Sequence, residues 1–106
     1  MNLFKQIKHL YRNIQSLGYS SNYNEQLEDE RWKEKRQEIL VQHNYTCDWC
    51  GEHEHLQVHH KYYQTYPNNL RIPAWDYPDK CFMCLCKNCH EKYHQKYKVP
   101  IFYRKY

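Results

Sequence analysis

Six cysteines and eight histidines in a chain of 106 residues carry the chemistry. The cysteines form three C-x2-C pairs: Cys47/Cys50, Cys81/Cys84 and Cys86/Cys89. A two-residue spacer lets both thiolates face one tetrahedral ion, and a structural zinc site takes two such pairs. Cys47/Cys50 is the single upstream pair and is assigned to that site. Cys86/Cys89 is preferred as its partner because a helix is predicted to start there. A helix N-terminus offers thiolates free N–H groups and a favourable dipole. Cys81 and Cys84 then serve as buried thiols or spare ligands. The long insert between the pairs is tolerable, since closure cost grows slowly with loop length.

The histidines divide differently. His59 and His60 are adjacent near the end of a predicted strand, so their side chains point to opposite faces. One can bind a metal while the other does something else. His90 and His94 are four apart on a predicted helix and share a face, a common way to present two nitrogens to a divalent ion. His9, His43, His53 and His55 read as ordinary surface or core residues.

These groups must be positioned by a small framework. Leu3, Ile7, Leu10, Ile14 and Leu17 recur at helical spacing, with Gly18 placed to end that helix. A second helix is predicted from Glu25 to about His43, capped by Asn22 or Asn24 and rich in good helix formers. From Thr46 the helical periods stop. Thr46–Glu52 reads as a strand entering a tight knuckle, and Leu56–His60 as a strand. Tyr63–Tyr77 holds Pro67, Pro73 and Asn68–Asn69 and reads as a loop. Phe82–Leu85 is a short apolar run. A helix is predicted from Asn88 to about Tyr97, stopped by Pro100. The aromatic, basic tail from Ile101 can form a strand. The expected class is α+β, with residues 1–24 a helical extension and residues 25–106 the zinc-binding domain.

Composition narrows the setting. Hydrophobic residues are 41% of the chain even with twelve Tyr counted, so a domain of this size needs a staple beyond its core. No apolar run reaches the length of a membrane span, and Met1–Leu10 lacks a continuous apolar signal region. The expectation is a reducing, cytoplasmic setting in which close Cys pairs bind metal rather than pair with each other. The formal charge of +4 permits nucleic-acid binding without demonstrating it.

The combined run resembles the HNH endonuclease family, whose members share the ββα-metal (His-Me finger) fold. The resemblance rests on Cys47-x2-Cys50–Gly51, then Leu56–Gln57–Val58–His59–His60, then Leu85–Cys86-x2-Cys89–His90-x3-His94. It covers about residues 31–95, including Arg31–Trp32, Lys35–Arg36 and Ile39–Leu40. It implies that His60 is a general base activating water against a DNA phosphodiester. It implies that His59, His90 and His94 hold a catalytic divalent ion (Mg²⁺, Mn²⁺, Ni²⁺ or Zn²⁺), separate from structural zinc on Cys47, Cys50, Cys86 and Cys89. Lys61, Arg71, Lys87 and Lys92 would contact flanking phosphates. That role expects three imidazoles converging on one point and a His60 open to solvent. The family's middle Asn falls at Cys81, with Asn68, Asn69, Asp76 and Asp79 as possible replacements. Trp75–Asp76–Tyr77–Pro78 is similar to a stretch in a branch that lacks this Asn. The competing expectation is a non-catalytic zinc module that binds nucleic acid or a protein.

Overall fold

The computed structural model describes residues 23–104. The predicted first helix and His9 lie outside that range. The described chain runs α1 (Tyr23–Leu27), α2 (Glu30–Gln42), β1 (Leu56–His60), β2 (Tyr63–Thr65), a 3₁₀ turn (Asp79–Cys81), β3 (Phe82–Cys86), α3 (Lys87–Lys96) and β4 (Ile101–Tyr103). This is an α+β arrangement with two small sheets, β1–β3 antiparallel and β2–β4 parallel.

The predicted second helix is in fact two. Asp29 breaks it: its carboxylate accepts the Arg31 N–H at 2.9 Å and pairs with the Arg31 guanidinium at 2.8 Å. That makes Asp29, rather than Asn22 or Asn24, the N-cap of α2. The break also turns Gln26 inward, where it is 6% exposed and accepts the Ala74 N–H at 3.1 Å. The knuckle around Cys47 forms turns rather than a strand. Gly51 closes it with φ at +81°, a conformation that strains any L side chain, and donates to Cys47 O at 3.0 Å. The Tyr63–Tyr77 loop contributes a strand after all, since β2 pairs with the distant β4.

The β1–β3 pair is the centre. Register sets Gln57 opposite Leu85, His59 opposite Met83 and His60 opposite Phe82. Strand alternation therefore sorts side chains to two faces. One face packs Val58 and Phe82 against Trp32 and Ile39 of α2, with Ile72, Ala74, Tyr77 and Cys81. The other packs Met83 and Leu85 against Cys47, Cys86, Cys89 and Tyr93 of α3. The knuckle docks on the free edge of β3 through Asp48: its N–H donates to Cys84 O, and its carboxylate accepts Cys84 N–H, both at 2.8 Å.

Candidate functional site

Two ligand clusters sit on the α3 side of the sheet. The sulfurs of Cys47, Cys50, Cys86 and Cys89 lie within 4.8 Å of one another, and so do one ring nitrogen each of His59, His90 and His94.

The cysteine cluster has the dimensions of a zinc site. Zinc–sulfur bonds of about 2.3 Å in a tetrahedron set sulfurs about 3.8 Å apart, and Cys50 Sγ and Cys86 Sγ are 3.6 Å apart. Cys86 is the N-cap of α3, and its sulfur accepts the Cys89 N–H at 3.4 Å. Burial works to raise the Cys47 thiol, but backbone N–H groups of Cys50, Cys86 and Trp49 outweigh it and hold it at about 6. Burial and the neighbouring sulfurs push Cys89 up to about 12. Without a cation the cluster thus favours unequal charge, and a divalent ion would stabilise all four as thiolates. A four-cysteine set of this kind fits structural zinc. Cys81 and Cys84 stay apart from it. Both are fully buried, and burial, with Asp48 and Cys47 nearby, pushes Cys84 to about 11. They are neutral core thiols.

The histidine cluster is built by β1 and α3 together. Strand alternation puts Gln57 and His59 on the α3 side, and helix periodicity stacks His90 beneath His94. His90 Nε2 is 3.1 Å from His59 Nδ1 and 2.9 Å from His94 Nε2. A tetrahedral ion with bonds of about 2.0–2.1 Å would hold these nitrogens about 3.3 Å apart. Gln57 Oε1 accepts the Nδ1–H of His90. An oxygen there fixes the proton on Nδ1 and leaves the Nε2 lone pair facing the cluster, the tautomer a metal ligand needs. Burial first, then His90, His94 and His60, pushes His59 down to about 4. Burial and His94 also lower His90, against the opposing charge of Glu91. Both rings are therefore neutral at pH 7, as ligands must be. His59 Nε2 is enclosed without a partner. With Nδ1 facing the cluster, the ring proton sits on this enclosed nitrogen, at a cost of about 1–3 kcal/mol. Among the described residues no carboxylate joins the three rings.

His60 is placed elsewhere. It points to the α2 face and is 1% exposed, so the expected solvent-open ring is overturned. Trp32 stacks on it at 5.3 Å and Tyr63 at 4.9 Å, with Phe82 and Tyr77 against its edges at 4.8 and 5.1 Å. The physical reason is packing: α2 lays Trp32 against this face of the sheet, and the ring fills the space between Trp32 and Phe82. Its Nε2–H donates to Ala74 O at 2.7 Å, so a neutral ring carries its lone pair on Nδ1. Burial lowers His60 to about 4, overcoming the Ala74 hydrogen bond, and Arg71 adds to the lowering.

The four candidate replacements for the middle Asn are engaged away from the rings. Asp79 binds Lys35 at 2.6 Å and Gln42 at 3.0 Å, and Asp76 pairs with Arg104 at 2.8 Å. Asn68 accepts Leu70 N–H at 3.1 Å, and Asn69 is a turn residue with φ +65°. Cys81 anchors the chain just past His60: its carbonyl accepts Lys61 N–H at 2.7 Å and its sulfur contacts Tyr62 O at 3.5 Å. Lys61, Arg71, Lys87 and Lys92 are all exposed, and the Arg71 guanidinium lies 5.0 Å over the Tyr63 ring.

Reading along the sequence missed Gln57, Tyr63, Tyr93 and the Ala74 carbonyl. Gln57 was detectable, being two residues from His59 on the same strand face. A backbone carbonyl leaves no sequence signal. No family model, curated protein or solved structure matches this chain.

Proposed function

We propose that the chain is a metal-dependent endonuclease of the HNH type, with a ββα-metal domain hydrolysing DNA phosphodiester bonds. The observation that carries this reading is the convergence of His59, His90 and His94 beside a separate four-cysteine cluster. A closed four-thiolate set suits structural zinc, whereas three ligands ending on an exposed ring suit an ion with an open position. His59, His90 and His94 would hold the catalytic ion. When bound, that ion supplies charge stabilisation for phosphoryl and leaving oxygens.

The remaining chemistry belongs to the chain. His60, kept neutral with Nδ1 unprotonated, would accept a proton from the attacking water. Ala74 O fixes its tautomer, and Trp32 holds the ring plane. Tyr63 covers one ring face, so this role requires Tyr63 to swing aside when substrate enters. The Cys81 contacts to Lys61 and Tyr62 do the loop-fixing work that the family assigns to its Asn. Lys61, Arg71, Lys87 and Lys92 would neutralise flanking phosphates.

The test is conversion of supercoiled plasmid with Mg²⁺, Mn²⁺, Ni²⁺ or Zn²⁺ added. Wild type should nick or cut, and His60→Ala should abolish this while keeping the zinc of the cysteine cluster. Equal cleavage by both would sink the mechanism.

A second reading is favoured by the enclosure of His60: a non-catalytic zinc module that binds nucleic acid or a protein. It expects salt-dependent binding with no cleavage under any of the four ions.

A further inference from the structure

Beside the histidine cluster lies an aromatic surface that takes no part in the proposed hydrolysis. Trp49 projects from the zinc knuckle, Tyr93 lies on α3 and Tyr97 just past its end. Their ring centroids are 5.4 Å (Trp49–Tyr93), 5.0 Å (Tyr93–Tyr97) and 6.5 Å (Trp49–Tyr97) apart. Tyr93 is backed by His59 at 4.4 Å, which ties the rings to the cluster. Trp49 is 44% exposed and Tyr97 46%, and neither belongs to the buried cores.

The α3 side of this surface is cationic, whereas the knuckle that carries Trp49 bears the exposed acids Asp48, Glu52 and Glu54. Between residues 87 and 98 the exposed side chains include Lys87, Lys92, Lys96 and Lys98, against Glu91 alone. The Lys96 ammonium sits 5.4 Å over the Tyr97 ring. A shallow groove of about 550 Å³ joins the two features, lined by Tyr63 and His94 as well as Lys96, Tyr97 and Lys98. It connects an exposed metal-type ligand to an exposed ring, along lysines.

We propose that this face binds single-stranded DNA. Unpaired bases stack on Trp49 and Tyr97, and the phosphates follow Lys96 and Lys98 towards the histidine cluster. This rests on the nuclease reading for the direction of the strand. Ring faces flanked by lysines match a chain that offers base faces and a charge at every step. A duplex keeps its base faces stacked on each other and cannot use the rings. Along α3 and the residues just past it, where the strand is placed, the excess of lysine over acid favours this polyanion over a protein partner.

The experiment is fluorescence anisotropy on the zinc-loaded full chain with labelled, cleavage-resistant phosphorothioate strands. A twelve-residue oligothymidylate is compared with a duplex of equal length at equal salt. Since each stacked base contributes a factor of about ten, single-strand binding should be tighter by about that much or more. Trp49→Ala and Tyr97→Ala should each weaken it roughly five- to a hundredfold, leaving duplex binding unchanged, and Trp49→Phe should restore most of it. Zinc content checks the knuckle; if Trp49→Ala loses metal, Tyr97→Ala decides alone. Equal affinity for single strand and duplex, or wild-type affinity in Tyr97→Ala, overturns the proposal. A chain that prefers single strands yet cuts neither plasmid nor an unmodified single strand keeps this surface and loses the nuclease. One that cuts plasmid without that preference does the reverse.

Discussion

The two faces of the β1–β3 pair are made from adjacent residues and hold different chemistry. On the α3 face, His59 joins His90 and His94 next to four cysteines. On the α2 face, His60 is one ring among Trp32, Tyr63, Tyr77 and Phe82. The amino acid is the same and the positions differ by one. What differs is the neighbours: His90, Tyr93 and His94 of α3 for His59, or Trp32 of α2 with Tyr63, Tyr77 and Phe82 for His60. A histidine's role is therefore set by strand parity and by the helix packed on that face.

Four changes separate the faces, in falling order of effect. Cys86→Ala should be the most damaging, because it removes both a ligand and the N-cap of α3. Structural zinc contributes about 10–16 kcal/mol in small zinc domains, comparable to or greater than a domain's whole stability of about 5–15 kcal/mol. Loss of bound zinc together with loss of the folded circular-dichroism signal is the expected outcome; a folded, zinc-free variant would count against it.

Trp32→Ala breaks the other face. Emptying this 6% exposed site should cost about 3–5 kcal/mol in urea unfolding, with zinc retained in the native state. If zinc were lost in proportion, the two faces would be coupled rather than separate.

Alkaline pH reads the aromatic face through Tyr77, in the same range where the buried thiols of Cys81 and Cys84 titrate. Burial pushes the Tyr77 hydroxyl up to about 12, against the Gln64 N–H that it accepts. An unfolded tyrosine ionises near 10, so the contribution is full below pH ~10 and is lost as pH rises towards 12. That difference corresponds to roughly 3 kcal/mol. Tyr77→Phe should flatten that part of the stability profile, and an unchanged slope would refute the assignment.

Gln57→Ala is the mildest. It removes only the group that orients His90, so the histidine cluster should bind its ion about 10–100-fold more weakly. Affinity at the cysteine cluster should not move. Competition with a chelating dye measures both, and equal weakening at the two clusters would deny Gln57 its orienting role.

Much of this was legible in the residues. The spacing of Cys47/Cys50, Cys86/Cys89 and His90/His94 survives folding because short spacers fix local geometry. Leu56–His60 carries a strand's alternation within itself. Other features depend on distant partners. The break at Asp29 needs Arg31 and the buried Gln26. The β2 strand exists because residues 101–103 lie alongside it. The sequence placed His60 opposite His59 but did not reveal that Trp32 and Tyr63 would enclose it.

The most direct measurement is the number of ions bound per chain, by elemental analysis after dialysis against zinc, in wild type and His90→Ala. Wild type should hold two equivalents and the variant one, with the remaining ion on the cysteines. One equivalent in both would contradict this, leaving three histidines that meet without holding a metal.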